Sequence, residues 1–329
     1  MSRVQYGEVT EGAQRSIGFY LTNNFSLMPF VSAMEPLRIA NRLSRKPLYQ
    51  WAVVTADGEP VHATNGLKFE ASFSVASAPE FSMLFVSGPH KPTEFEHKAT
   101  LDWLSKCAKT NMVIGGIETG SMILASAGLL AGVQCTTHWE NVAEFREAYP
   151  DHTVSTDLYE IDGNRVTCSG GAASMDMMLY VIEQHHGHEL AASVADVLIH
   201  PHIRYSGEPQ RMNIEDRIGV NHPVLIECVE LMESNVEQPL SPQELANLVG
   251  VSKRQLERLF RRYLNTTPAR YYLTIRLEAA RDMLEKSAMK IIDVAIACGF
   301  KSAGHFSSRY VSSFGQTPRE SRKPEIAST

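Results

Sequence analysis

The sequence predicts an α/β amino-terminal domain with a mainly parallel sheet, followed by an all-α carboxy-terminal domain with two helix-turn-helix units. Three observations predict it. Short apolar runs alternate with longer amphipathic ones from Ser16 to Leu198, the pattern breaks across Tyr205–Pro223, and no strand pattern returns beyond that break. At 329 residues the chain has room for two domains, each large enough to bury a core. The expected spans are 14–204 for the first domain, 205–222 for a linker and 223–322 for the second.

Ile17–Leu21 reads as the first strand, and the following helix, Met28–Leu43, carries Met34, Leu37 and Leu43. Gln50–Val54 is a second strand. Phe81–Val86 is an uninterrupted apolar run, as expected of a strand covered on both faces, and it ends at Ser87-Gly88-Pro89. A helix over Thr100–Lys109 leads to a strand over Met112–Gly116, which runs at once into a helix over Thr119–Leu130. Cys168-Ser169-Gly170-Gly171 marks a later strand end. Tyr205–Pro223 is polar, contains Gly207, Pro209, Gly219 and Pro223, and lacks clean periodicity, which makes it the linker.

Beyond the linker, Ser241-Pro242-Gln243-Glu244 is a helix start with Ser at the cap, Pro in the first turn and Glu three residues on. Leu245, Ala246 and Val249 form its apolar face, and Gly250 supplies a left-handed exit. Ser252-Lys253-Arg254-Gln255 is a second capping box. It opens a helix that turns Leu256, Leu259, Phe260 and Tyr263 inward and Arg254, Glu257, Arg258, Arg261 and Arg262 outward. The arrangement recurs downstream. Ile291–Cys298 is a short helix with Ile292, Ala295 and Ile296 inward, Gly299 turns the chain, and Ser302 caps a helix with Phe306 and Tyr310 inside. A long helix over Pro268–Lys286, with Leu273, Leu277, Ala280 and Leu284 on one face, joins the two units. Such a connector can hold two recognition helices about one duplex turn (~34 Å) apart.

Charge divides along the same boundary. The net charge of −6 averages residues 1–251, with 16 Lys and Arg against 30 Asp and Glu (−14), and residues 252–329, with 15 against 7 (+8). A basic segment on an acidic body is the asymmetry expected if one part meets a polyanion. Polar and charged residues interrupt every apolar stretch well before ~18 residues, which leaves no membrane span, and Met1–Tyr6 lacks the apolar core of a signal peptide. Cys107, Cys135, Cys168, Cys228 and Cys298 have neither CxxC nor paired spacing, so reduced thiols in a cytoplasm are expected. His185, His186, His188, His200 and His202 lack Cys or carboxylate partners at ligand spacing; no metal site and no cofactor are expected.

Over residues 222–322 the chain resembles the AraC/XylS regulators. The resemblance rests on Ile291-Ile292-Asp293-Val294-Ala295-Ile296-Ala297-Cys298-Gly299-Phe300, then Phe306, Tyr310, Phe314-Gly315 and Pro318. It implies promoter DNA as a partner. Arg254, Glu257 and Arg258 would face one major groove. His305 and Ser307 would face the next, with Gly304 allowing close approach, while Arg261, Arg262, Lys301 and Arg309 would take phosphates.

The strand ending at Gly116 with a helix from Thr119 has the strand-turn-helix geometry of a nucleophile elbow, with Glu118 at its tip. With Thr136-Thr137-His138-Trp139 and Ser169-Gly170-Gly171, this layout resembles the class I glutamine amidotransferase-like (PfpI-type) fold, which implies flavodoxin-like layers. It resembles most the regulators that fuse that fold to an AraC-type domain; Met34–Asn41 and Ala127-Gly128-Leu129-Leu130 also fit that subgroup. Enzymes of the fold place Cys at the elbow, where this chain has Glu118. A carboxylate does not form the labile acyl intermediate that acyl transfer requires, so a transcription regulator is expected and no enzyme. A PfpI-type hydrolase or amidase with accessory DNA binding is the alternative.

The carboxyl ends of the strands form the usual ligand crevice of such a sheet. There Glu118 and Glu35 would offer negative charge, Trp139 and Phe25 aromatic faces, and His138 a proton acceptor. Core packing is the alternative for Phe25 and its neighbour Phe30, and capping of the following helix is the alternative for Glu118. The subgroup resemblance implies a small cationic or zwitterionic effector such as glycine betaine, dimethylglycine, carnitine or arginine. It further implies a homodimer, recruitment of RNA polymerase, and activation as the commoner mode.

Overall fold

In a computed structural model, residues 14–89, 95, 97–286 and 289–322 are described; the leader reading of Met1–Tyr6 lies outside them. The chain divides into two compact units at Arg211/Met212.

The first unit is built on a seven-stranded sheet. In chain order come β1 (Arg15–Leu21), α1 (Leu27–Ser44), β2 (Tyr49–Thr55), β3 (Val61–His62), β4 (Lys68–Phe69), β5 (Phe73–Ser74) and β6 (Met83–Ser87). They are followed by α2 (Lys98–Cys107), β7 (Val113–Ile117), α3 (Gly120–Ser126), β8 (Gln134–Thr136), α4 (Val142–Ala148), β9 (Thr153–Ser155), β10 (Tyr159–Asp162), β11 (Arg165–Cys168), α5 (Ala173–His186) and α6 (His188–Val197). The sheet order is β10-β11-β7-β6-β1-β2-β5, and every pairing is parallel except β10 with β11. The mainly parallel α/β layers read from the sequence are therefore present.

Alternation within single strands divides two cores. Ile17, Phe19 and Leu21 of β1 and Met83 and Phe85 of β6 share one core with residues of α1, α5 and α6. Tyr20, Leu84 and Val86 point the other way, into a core shared with Leu104 of α2, Met122–Leu124 of α3 and Phe145 of α4. A methyl group on Gly115 would lie 2.5 Å from the ring of Phe85, so the large ring on one strand requires a bare backbone on its neighbour.

The helix expected over Thr119–Leu130 is shorter, because Gly128 takes φ 71° and ends α3 at Ser126. The short pairs β3–β4 and β8–β9 and the edge strand β5 carry too few residues for a readable alternation. The expected linker is split between the units. Ser206 accepts a hydrogen bond from the amide of Leu158, and Pro209 forms a bridge to Asp157, all within the first unit. Residues 214–218 form a short helix, α7 (Ile214–Ile218), whose Ile214 and Ile218 pack on the second unit's core.

The second unit continues with α8 (Pro223–Ser234), α9 (Pro242–Leu248), α10 (Lys253–Leu264), α11 (Pro268–Lys286), α12 (Ile291–Ala297), α13 (Ala303–Phe314) and α14 (Pro318–Ser321). Ser241 and Glu244 form the full reciprocal capping box, and its hydrogen bonds from Ser241 hold the Glu244 carboxyl below its ordinary range. Ser252 and Ser302 cap α10 and α13 by accepting from the amides of Gln255 and His305. Helix α11 serves two cores: Tyr272 packs with Leu245, Leu256 and Phe260, while Leu277, Ala280 and Leu284 pack with Val294, Phe306 and Tyr310.

Three inward assignments are corrected. Tyr263 is 41% exposed because, at the end of α10, its ring lies between His222 and the Arg262 guanidinium. Ile292 and Ile296 are 44% and 56% exposed, since the seven-residue α12 buries only Val294 and Ala295.

His185 of α5 lies against Arg15 and His186, with its Nδ1 3.0 Å from the Tyr49 hydroxyl; burial, first, and those two neighbours lower its pKa to about 3. The folded state thus holds this imidazole neutral where the unfolded chain takes up a proton. Its contribution to stability is complete above pH 6.5 and is lost as pH falls towards 3. Between pH 6.5 and 4.5 the loss is on the order of 2–3 kcal/mol. His185→Gln should flatten that slope in urea titrations across this range.

Candidate ligand site and nucleic-acid interface

The candidate ligand site is set by a backbone constraint at the end of β7. Glu118 sits in the left-handed region at φ 56°, a conformation costly for a residue with a Cβ. Its surroundings hold it there. The Glu118 amide donates to the Cys168 carbonyl at 2.8 Å, and its carbonyl accepts from the Thr137 hydroxyl at 3.0 Å. The turn closes because glycine lines it. A Cβ on Gly120 would fall 1.9 Å from the Val86 carbonyl oxygen, and one on Gly116 would fall 2.6 Å from the Ser121 amide nitrogen. Across the turn, Gly170 at φ 93° leaves room for the Glu118 side chain, which would stand 2.9–3.4 Å from an added Cβ.

Thr137 carries the connection outward. It precedes His138 and Trp139, the latter opening a 3-10 turn over Trp139–Asn141. The His138 ring centroid is 5.5 Å from that of Trp139, and its Nδ1 is 3.7 Å from a Glu140 carboxylate oxygen. Trp139 is 36% exposed. The Arg211 guanidinium carbon lies 4.5 Å from the Trp139 ring centroid, in cation–π geometry. Beside it, Gln210 Nε2 donates to the Thr136 hydroxyl and to the Thr137 and Asp157 carbonyls at 2.9–3.1 Å. Glu118, His138 and Trp139 therefore belong to one bonded neighbourhood, joined through Thr137.

The other two expected ligand residues have different duties. Phe25 is fully buried, and its ring meets Phe30 and Phe69 edge-on, with centroids 5.8 and 5.5 Å away. The aromatic face assigned to a ligand is thus filled by core rings, and Phe30 is buried with it. Glu35 is clasped by Arg38 one turn along α1, with Oε2 2.6 Å from a guanidinium nitrogen, so its charge is matched on its own helix. Gln210 and Arg211 were missed. They lie in a polar stretch without periodicity, and nothing in the local pattern shows that it returns to the strand ends.

None of the cysteines is activated. Burial first of all raises all five thiols, to about 12 for Cys135, Cys228 and Cys298 and to about 11 for Cys168, with Cys107 also raised. Three of the histidines outside the elbow have carboxylate partners: His200 meets the buried Asp176 at 2.7 Å, His188 meets Glu183, and His202 meets Glu208. Among the described residues no group of three or more His, Cys, Asp or Glu could hold a metal ion.

In the second unit, Arg254, Arg258, Arg261 and Arg262 of α10 are exposed, with Glu257 half-buried beside them. Lys301, Gly304, His305 and Arg309 are exposed on or just before α13, and Ser307 is half-buried. Arg309 donates through Nε to His305 Nε2 at 3.3 Å. Gly304 has an ordinary backbone, and a Cβ there would meet nothing within 4 Å. Gly299, by contrast, takes φ 72°, and an added Cβ would clash with the Val236 carbonyl at 2.7 Å. The fold requires glycine at 299 and leaves it unexplained at 304.

Residues 15–184 match the DJ-1/PfpI family, and residues 245–324 match a helix-turn-helix domain family. The chain is 44% identical over 309 residues to the HTH-type transcriptional regulator GbdR of Pseudomonas aeruginosa, covering 94% of this chain and 84% of the relative. It is 41% identical over 304 residues to CdhR of the same species, covering 92% and 90%. It is 37% identical over 306 residues to the HTH-type transcriptional regulator ArgR, also of that species, covering 93% and 92%. Among solved structures, an AraC family transcriptional regulator from Pseudomonas putida superposes with a TM-score of 0.52 at 29% identity, covering 56% of this chain and 99% of that one. A ThiJ/PfpI family protein from Pseudomonas syringae gives 0.50 at 18% identity over 72% and 91%, a likeness of fold alone.

Gly170→Ala forces a methyl into the space of the Glu118 side chain at a φ that disfavours any Cβ. It should lower unfolding stability by about 2 kcal/mol or more, measured by urea denaturation. With a DJ-1/PfpI domain ahead of a double helix-turn-helix, and regulators of that build matching nearly its whole length, the chain belongs to the AraC-family transcriptional regulators that carry a DJ-1/PfpI domain.

Proposed function

We propose that this DNA-binding regulator is an effector-responsive activator. Its DJ-1/PfpI domain would bind a small amine or quaternary-ammonium metabolite of the betaine, carnitine or amino-acid class at the Glu118–His138–Trp139 site. Two sensor domains would pair in a homodimer that engages promoter DNA in the cytoplasm and recruits RNA polymerase. Only an effector that binds one arrangement more tightly than another can switch the protein between them. The observation that carries the effector class is that the segment bearing the exposed Trp139 indole is tied, through the Thr137 hydroxyl, to the backbone carbonyl of Glu118, since a cation is drawn to carboxylates and to indole faces alike.

For DNA, the supporting observation is that α10 and α13 bury their apolar faces and leave the basic ones in solvent. Arg254, Glu257 and Arg258 would read one groove and His305 and Ser307 the next, while Arg261, Arg262, Lys301 and Arg309 would hold phosphates. Gly304 is the second residue of α13, and in a first helical turn an exposed glycine costs a few tenths of a kcal/mol relative to alanine, less than the ~1 kcal/mol of a helix interior. At Gly304 the fold gains nothing in return, so close approach of the duplex explains the residue.

No acyl chemistry is assigned, because Glu118 occupies the position that carries Cys in enzymes of the fold, and burial keeps the thiols protonated. Amide or ester turnover abolished by His138→Ala would overturn that assignment.

Gly304→Ala should leave unfolding stability unchanged or raise it by up to about 0.5 kcal/mol while weakening binding to duplex DNA, measured by urea denaturation and fluorescence anisotropy. Each of Arg261→Ala, Arg262→Ala, Lys301→Ala and Arg309→Ala should lower the slope of log affinity against log salt by about 1. Thermal-shift titration with glycine betaine, carnitine, methylated glycines and basic amino acids should find a stabilising compound whose effect weakens in Glu118→Gln. Equal affinity in that variant assigns Glu118 a structural role.

A further inference from the structure

We infer that Ile199, with Val197 and Tyr205 near it, forms the face through which two copies of the first unit pair, an inference that rests on the reading of the protein as a homodimer.

Helix α6 ends in a complete Schellman motif. The Ile199 amide donates to the Asp196 carbonyl at 3.1 Å, and the His200 amide to the Ala195 carbonyl at 3.0 Å. The left-handed residue of such a cap is usually glycine; here it is Ile199, at φ 53°. Among the described residues it is the only β-branched one at a positive φ, the other non-glycine positions being Asn24, Arg45, Glu118 and Asn265. A side chain branched at Cβ is poorly suited to that conformation.

The turn itself has a duty in the fold. It brings His200 Nε2 to 2.7 Å from Oδ1 of the buried Asp176, and the same oxygen accepts from the Arg204 amide at 2.9 Å. One carboxylate thus closes the chain between residues 200 and 204, and Ile199 and Tyr205 flank the two anchored residues. This explains the left-handed backbone but not the isoleucine, since glycine would make the same turn without strain. Nor does the side chain pack within its own unit. Leu198 and Ile203 lie against the first core, whereas Ile199 is 88% exposed, Tyr205 64% and Val197 39%. A strained apolar side chain held in water is accounted for by a surface that covers it.

Charge selects a second copy as that surface. Residues 1–211 hold 15 Lys and Arg against 23 Asp and Glu (−8), so two copies repel where their charged faces meet. Val197–Ile203 holds no Asp, Glu, Lys or Arg. It is bounded by the exposed Asp196 and by Arg204, which is already paired with Asp176. Like-charged copies can therefore approach there, and the stretch offers no lysine or arginine to a phosphate. A twofold axis through it sets each Ile199 against the same patch of its partner and takes both out of water. These side chains supply the apolar centre of an interface of ~800 Å² per partner, with polar residues at its rim.

Sedimentation equilibrium of the full chain tests this. Ile199→Gly removes one covered side chain from each copy and relieves the strain. The dimer dissociation constant should rise about tenfold or more. The urea midpoint, taken at a dilution where both proteins are monomers, should stay at or above that of wild type. Ile199→Asp, which also sets two like charges against each other, should weaken the dimer further. Wild-type dimer affinity in either variant overturns the inference, leaves the homodimer reading standing and assigns the patch to a different partner. A urea midpoint lowered in Ile199→Gly assigns the side chain to its own fold and overturns the inference as well. A wild type that sediments as a monomer at every concentration, free and on duplex DNA, overturns the homodimer reading and the inference with it.

Discussion

Close backbone approach at the carboxyl ends of β6, β7 and β11 is the constraint on which the candidate ligand site depends. Gly120 lies so near Val86 that no side chain fits between them, and Gly116 also leaves no room for one against Ser121. That proximity forces the chain to reverse within two residues and holds Glu118 at a positive φ. The bonds from Glu118 to Cys168 and Thr137 fix the same reversal from both sides. Such a turn is built to present one side chain over the ends of a parallel sheet. Here that side chain is a carboxylate.

The second unit applies a related economy in a different way. Its two helix-turn-helix units do not share one core; α11 runs through both and supplies large side chains to each. Caps at Ser241, Ser252, Ser302 and Thr317 start the helices on schedule, and left-handed residues at Asn265 and Gly315 stop α10 and α13. With both ends defined, the register of each helix follows, and with it the side on which arginines meet solvent. The charge asymmetry has the same origin, because the basic residues occupy faces that the cores leave uncovered.

Much of this was legible from the chain alone, for a definite reason. The strands β1, β6 and β7 and the helices α1, α10, α11 and α13 are each long enough for their apolar period to show, and the cap residues sit at fixed offsets. Assignments failed where an element was short or a residue sat at its end. Ile292 and Ile296 fit an apolar stripe, yet a seven-residue helix can bury only one side, and Tyr263 lies where α10 runs out of core. Phe25 next to an inferred crevice has the right chemistry for a ligand and lies in a packed aromatic cluster, a difference that depends on Phe69 more than forty residues away.

By itself the sequence determined the order of the two domains, the parallel layers, the doubled helix-turn-helix and the residue at the elbow. These follow from periodicity, capping and spacing within single elements and the turns that join them. Only the tertiary structure decided which candidate side chains meet. Thr137 reaches Glu118 across 19 residues, Gln210 reaches Thr136 across 74, and Arg211 covers Trp139 from a stretch whose composition reads as a linker. Contacts at such separations are set by how strands order within the sheet and how the chain returns to it, and no local pattern encodes that return.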